Sequence, residues 1–127
     1  MAATDVAAVD AGLTIYEVGR CSTCRKLAAL LDERGIPYEG VEYHRTGLDE
    51  ATVRSLLAKS GLGPRDILRM REPLVAQLGL LEGDGAGDDE LIAAIVEHPR
   101  LMQRPIAVRG DRALLARPIE RVLELLG

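Results

Sequence analysis

Leu13-Thr14-Ile15-Tyr16-Glu17-Val18-Gly19-Arg20-Cys21-Ser22-Thr23-Cys24-Arg25-Lys26-Leu27 is the most informative stretch of the chain. Leu13 to Tyr16 is a short apolar run that reads as a buried strand. It passes through Gly19 into a Cys-x-x-Cys turn, and Leu27, Leu30 and Leu31 then recur at helical spacing. Gly35 ends that helix and Ile36-Pro37 opens a new segment, with a second strand expected over Tyr38 to Tyr43. Strand, cysteine turn, helix and strand make a βαβ unit.

Downstream, Asp49 to Ser60 carries Val53, Leu56 and Leu57 on one helical face and is stopped by Gly61. Pro64 suits the first position of a further helical piece with Ile67 and Leu68 inward, and Leu74 to Leu80 adds another turn or two. Glu82 to Gly87 is a Gly/Asp loop, after which Asp88 is the expected cap of a helix containing Leu91, Ile92, Ile95 and Val96. Ile106-Ala107-Val108 and Ala113-Leu114-Leu115 flank Gly110-Asp111, the signature of a two-residue hairpin. Pro118 begins a last helix in which Ile119, Val122, Leu123 and Leu126 form an apolar stripe. The order is βαβ, a helical block, then ββα. This gives the expected class: α/β, a thioredoxin-like fold with a four-stranded mixed sheet flanked by helices and a helical insertion. Residues 13–127 form this domain, and residues 1–12 are expected to be a flexible N-terminal tail.

Bulk composition agrees with one domain. The chain has 127 residues, 47% of them hydrophobic, with no Phe or Trp, so Leu, Ile, Val and Ala must build the core. A net charge of −4, from 20 acidic and 16 basic residues, argues against a direct nucleic-acid binder. No run is apolar enough to span a membrane. The first residues lack the charged and apolar regions of a signal peptide, so a cytoplasmic location is expected.

Cys21 and Cys24 are the only cysteines. In an unexported chain this spacing points to redox or metal chemistry rather than a structural disulfide framework. A thiolate between a strand end and a helix start is stabilised by free N–H groups and the helix dipole. Arg20, Arg25 and Lys26 add positive charge nearby. Cys21 is therefore the expected nucleophile. Cys24, one helical turn inside, is the candidate resolving thiol. Two inert core cysteines remain an alternative. A zinc site would need two more ligands, and the only histidines, His44 and His98, match no zinc spacing, so no metal is expected. His98, between a helix end and Pro99, reads as structural; His44 has no evident role.

Beyond the cysteine turn, several spaced motifs carry a resemblance. Tyr16 through Lys26, Glu72-Pro73, Gln77-Leu78-Gly79-Leu80, Asp88-Asp89-Glu90-Leu91, His98-Pro99, Arg104-Pro105-Ile106 and Arg117-Pro118 resemble the glutaredoxin-linked ArsC arsenate reductases and their Spx relatives. The match runs from Leu13 to Gly127. The resemblance implies that Cys21 attacks arsenate and that Arg69, Arg104 and Arg117 hold the oxyanion. It also implies a cis proline, Pro105, beside the active cysteine. A guanidinium is permanently charged and presents forked donors to a tetrahedral oxyanion. Arg65, Arg71, Arg100, Arg109 and Arg112 are expected to be solvated surface residues.

The expected function is thiol-dependent reduction of arsenate to arsenite. No bound cofactor is expected, and glutathione with glutaredoxin, or thioredoxin, would serve as electron donor and partner. The chain departs from typical reductases in two ways: Glu17 and Val18 replace a His-Asn pair, and Cys24 stands where many have Ser. A carboxylate at position 17 would raise the Cys21 pKa if it faced that thiol. The Cys-x-x-Cys form is shared with Spx-like regulators. The alternative is thus a redox-sensing transcriptional regulator that binds RNA polymerase.

Overall fold

The structure, a computed structural model, describes residues 12–83 and 85–126. The expected N-terminal tail, apart from Gly12, lies outside the described residues. Strand β1 (Leu13–Glu17) leads through the cysteine turn into helix α1 (Ser22–Glu33), then strand β2 (Glu39–Glu42). The expected second strand is shorter than its apolar pattern suggested. Tyr43, placed there in the strand, instead starts a one-turn helix α2 (Tyr43–Thr46), closed by Gly47 N–H donating to the Tyr43 carbonyl at 2.8 Å. Helix α3 (Glu50–Ser60) starts at Asp49, whose carboxylate accepts from Thr52 N–H at 2.7 Å, and stops at Gly61 with φ of 74°.

The helical block continues as a 3-10 turn (Pro64–Ile67), a short helix α4 (Pro73–Gln77) and helix α5 (Asp88–Glu97). Asp88 is not the cap of α5. Gly87 occupies that position, and the Glu90 carboxylate accepts from its N–H at 3.2 Å. A 3-10 turn (Pro99–Leu101) precedes the hairpin of β3 (Ile106–Arg109) and β4 (Arg112–Leu115), joined by Gly110 at φ of 61°. The last element, Ile119–Leu125, is a 3-10 helix rather than the α-helix its stripe implied. Three residues per turn align Ile119, Val122 and Leu125, and the latter two are buried.

The sheet order is β2-β1-β3-β4, with β1 parallel to β2 and antiparallel to β3, and β3 antiparallel to β4. This is the mixed four-stranded thioredoxin-like arrangement expected from the sequence. Alternation along the strands sends side chains to two cores. Leu13, Ile15, Ala107 and Leu114 meet Leu27 and Leu31 of α1 and Val122 and Leu125 of the terminal helix. Ile106, Val108 and Ala113 meet Val53 and Leu56 of α3 and Leu91, Ile92 and Ile95 of α5. The helical block therefore covers one whole face of the sheet. Burying each such aliphatic side chain is worth about 1.5–3 kcal/mol. Arg109, expected on the surface, donates to the Leu125 carbonyl at 2.8 Å and fastens the terminal helix to β3. Among the described residues, no helix is long and apolar enough to cross a membrane.

Candidate active site

Cys21 is the residue immediately before α1. Its N–H donates to the Val18 carbonyl at 2.9 Å, and its extended backbone (φ −71°, ψ 124°) leaves the thiol over the helix start. Burial pushes this thiol up. The Cys24 N–H, the Cys24 thiol, the Arg104 guanidinium and the Thr23 N–H all donate to the anion and outweigh burial, bringing it down to about 7. The flanking cations Arg20, Arg25 and Lys26 are exposed and are not among these partners. The expected electropositive effect is therefore delivered by helix-start N–H groups and by one distant arginine.

Cys24 is 2% exposed and faces the opposite way in charge terms. Burial raises it, Val18 N–H pulls against this, and the neighbouring Cys21 and Glu17 raise it further, to about 12. Both cysteines are free thiols. The Glu17 carboxyl, itself raised by burial and by Glu42, raises Cys24 and is not among the main influences on Cys21.

An open cleft of about 820 Å³ lies over Cys21 and is lined by Arg69, Arg104 and Arg117 among others. Each arrives by a different route. Arg104 stands before the cis Arg104–Pro105 bond at the entrance to β3; Pro105 itself is buried, and Arg104 is the residue that reaches the thiol. Arg117 stands before a second cis bond, Arg117–Pro118, and its Nε donates to the Arg104 carbonyl at 2.8 Å. Arg69 comes from the helical block. Gln103 N–H donates to the Ile67 carbonyl at 2.7 Å and Arg69 N–H to the Leu101 carbonyl at 2.6 Å, flanking an antiparallel bridge between Leu68 and Met102. This two-sided pairing, anchored by buried Ile67, Leu68 and Met102, carries Arg69 to the segment that ends in Arg104.

The cleft holds more than the three arginines. Arg71 and Arg100, expected to be solvated surface residues, are exposed and also line it, as do Arg20 and His44. Arg100 also forms an ion pair with Glu72 at 3.5 Å. Arg65 and Arg112 are exposed and outside the cleft. His98 sits at the end of α5 with Nε2 3.4 Å from Glu97, outside the cleft. No local sequence pattern marks Arg71, Arg100 or His44. Their assembly depends on the crossing of the helical block with the approach to β3. Tyr43 supports that crossing: its hydroxyl donates to the Met102 carbonyl at 2.6 Å. Burial raises this phenol to about 12, against the pull of the Arg104 guanidinium beside it.

What this arrangement offers chemically is a thiolate at neutral pH, a protonated thiol next to it, and converging cations able to hold a tetrahedral anion. Similar proteins are known. An uncharacterised protein, YfgD, of Escherichia coli K12 is 40% identical over 114 residues, covering 89% of this chain and 95% of its own. An arsenate reductase of Neisseria meningitidis is 35% identical over 115 residues, covering 90% and 97%. The solved arsenate reductase from Vibrio cholerae superposes with a TM-score of 0.83 at 36% identity, covering 89% of this chain and 96% of its own. The ArsC family model matches residues 16–125, from the end of β1 to the end of the terminal helix and across every residue of the cleft. On that match and on this fold, the chain belongs to the ArsC family.

Proposed function

We propose that this protein is a thiol-dependent arsenate reductase acting in the cytoplasm, where thiols are kept reduced. The observation that carries the reading is the convergence of Arg69, Arg104 and Arg117 on the cleft over a Cys21 thiol lowered to about 7. The arginines hold the oxyanion, and the Cys21 thiolate attacks arsenic. A sulfur–arsenic bond forms, an arsenic–oxygen bond breaks, and the oxygen leaves as water after taking up a proton. Cys24 then attacks Cys21 Sγ. The sulfur–arsenic electron pair passes to arsenic, which falls from As(V) to As(III), and a Cys21–Cys24 disulfide remains. Cys24 keeps its proton while Cys21 is a thiolate, because burial and then that neighbouring charge raise it, so the two thiols act in order. Thioredoxin would reduce the disulfide. Glutathione, with glutaredoxin, would take the adduct apart in place of Cys24.

Steady-state turnover of arsenate with each donor tests this reading. Cys21→Ser is expected to abolish turnover. Cys24→Ser is expected to lose thioredoxin-driven turnover and to keep activity with glutathione. Replacing Arg69, Arg104 or Arg117 by Ala should weaken oxyanion binding by about 1.5–3 kcal/mol, the worth of a charge-assisted hydrogen bond. Wild-type protein inactive with both donors, and binding RNA polymerase differently once oxidised, would replace the reductase by the redox-sensing regulator.

A further inference from the structure

Among the described residues, two buried side-chain nitrogens lack a hydrogen-bond partner: Nδ1 of His44 and Nε of Arg104. Both side chains line the same cleft over Cys21. Leaving a buried polar atom unsatisfied costs about 1–3 kcal/mol, so a group that brings either atom a partner as these side chains adjust is favoured there. His44 is also held in place. It follows Tyr43, which is fully buried and tied to the Met102 carbonyl at 2.6 Å, and the single turn carrying both is closed by Gly47 N–H at 2.8 Å. An imidazole fixed at the wall of a cationic cleft is unlike its arginine neighbours in one respect. Imidazole is a side-chain type that serves in general acid–base chemistry, and guanidinium is not.

We infer that His44 is a further catalytic residue: it hydrogen-bonds the bound tetrahedral oxyanion and, as imidazolium, protonates the oxygen that leaves when Cys21 attacks. This rests on the arsenate reductase reading and adds the source of its proton. The step balances with monohydrogen arsenate. The Cys21 sulfur–arsenic bond forms and the arsenic–hydroxyl bond breaks, the electron pair leaving with oxygen. The His44 proton converts that hydroxide to water, and the neutral imidazole regains a proton from solvent. The arginines then hold the three oxygens that stay on arsenic. Without a proton donor the leaving group would be hydroxide, which general acid catalysis relieves by a factor of about 10²–10⁴.

The chain has two histidines, and His98 lies outside the cleft, so the experiment carries an internal control. Proton NMR of the imidazole Cε1–H signals, assigned with His44→Gln and His98→Gln, is followed as sodium arsenate is added. Protection of Cys21 from iodoacetamide reports occupancy of the cleft. Single-turnover arsenite release, with thioredoxin as reductant, is then compared for wild type and the two variants. The inference expects the His44 signal to move as Cys21 becomes protected, the His98 signal to stay, and His44→Gln to slow arsenite release at least 10²-fold. His98→Gln should release arsenite at the wild-type rate. A His44 signal that stays put while Cys21 is protected overturns the contact. A moving signal with an unslowed His44→Gln variant overturns proton delivery. Wild type that binds arsenate, moves the His44 signal and yields no arsenite refutes the reductase reading and proton delivery with it, and upholds the oxyanion contact. Neither protection nor movement refutes both.

Discussion

At the scale of single residues, two thiols one helical turn apart are driven in opposite directions by their surroundings. Both are penalised by burial, and the difference is made by donors. Cys21 collects two N–H groups, a thiol and a guanidinium, whereas Cys24 has one N–H against the charges of Cys21 and Glu17. With Cys21 at about 7, roughly a tenth of it is thiolate at about pH 6 and roughly nine-tenths at about pH 8. Iodoacetamide labelling should therefore rise through neutral pH and level off before the range of a free thiol, about 8.5. Peptide mapping should find the label on Cys21. Labelling of Cys24 first, or a midpoint at or above the free value, would contradict the assignment. Arg104→Ala should move the midpoint upward, because a donor to the thiolate is lost.

At the scale of elements, the site depends on how the helical block meets the approach to β3. Arg69 and Arg104 are far apart in sequence, and the Leu68–Met102 bridge with its two flanking hydrogen bonds sets them side by side. Tyr43 locks this crossing from α2 through its bond to the Met102 carbonyl. Tyr43→Phe preserves the ring in the core but strips the carbonyl of that donor. The expected cost is about 1–3 kcal/mol of stability in urea unfolding, the penalty for a buried unsatisfied acceptor. The same variant should also perturb the Cys21 labelling midpoint, because Arg104 lies against both Tyr43 and Cys21. A stable variant with an unchanged midpoint would show that the crossing needs no tyrosine hydroxyl.

At the scale of the whole molecule, a four-stranded sheet separates two cores that differ in what covers them. Leu31 of α1 belongs to one and Ile95 of α5 to the other, and both are fully buried. Leu31→Ala and Ile95→Ala should each cost about 2–5 kcal/mol. A domain this small should still unfold in one cooperative transition, with coincident midpoints by circular dichroism and by thiol exposure. Because the two side chains sit on opposite faces of the sheet, the double variant's loss should equal the sum within about 0.5 kcal/mol. Separate transitions for the two variants would mean that the faces unfold independently.

Local features were legible in short stretches of the chain. Cys21 at a strand-to-helix turn, Gly61 and Gly110 as stops and turns, and the apolar runs of the strands all follow from short-range stereochemistry. Arg69, Arg104 and Arg117 were legible through the resemblance, whose motifs contain Arg104-Pro105-Ile106 and Arg117-Pro118. Tertiary structure decided the rest. Tyr43 left its expected strand because its side chain is buried at the crossing. The last helix tightened to three residues per turn as Ile119, Val122 and Leu125 lined up toward the sheet. The donor that lowers Cys21 most unexpectedly, Arg104, is distant in sequence, and the flanking cations are not among its partners. Arg71, Arg100 and His44 reach the cleft by contacts between segments far apart in the chain. Spacing reports only what a residue's own helix or strand dictates. Which residues share a cleft depends on the packing of elements against one another, and no local pattern encodes that.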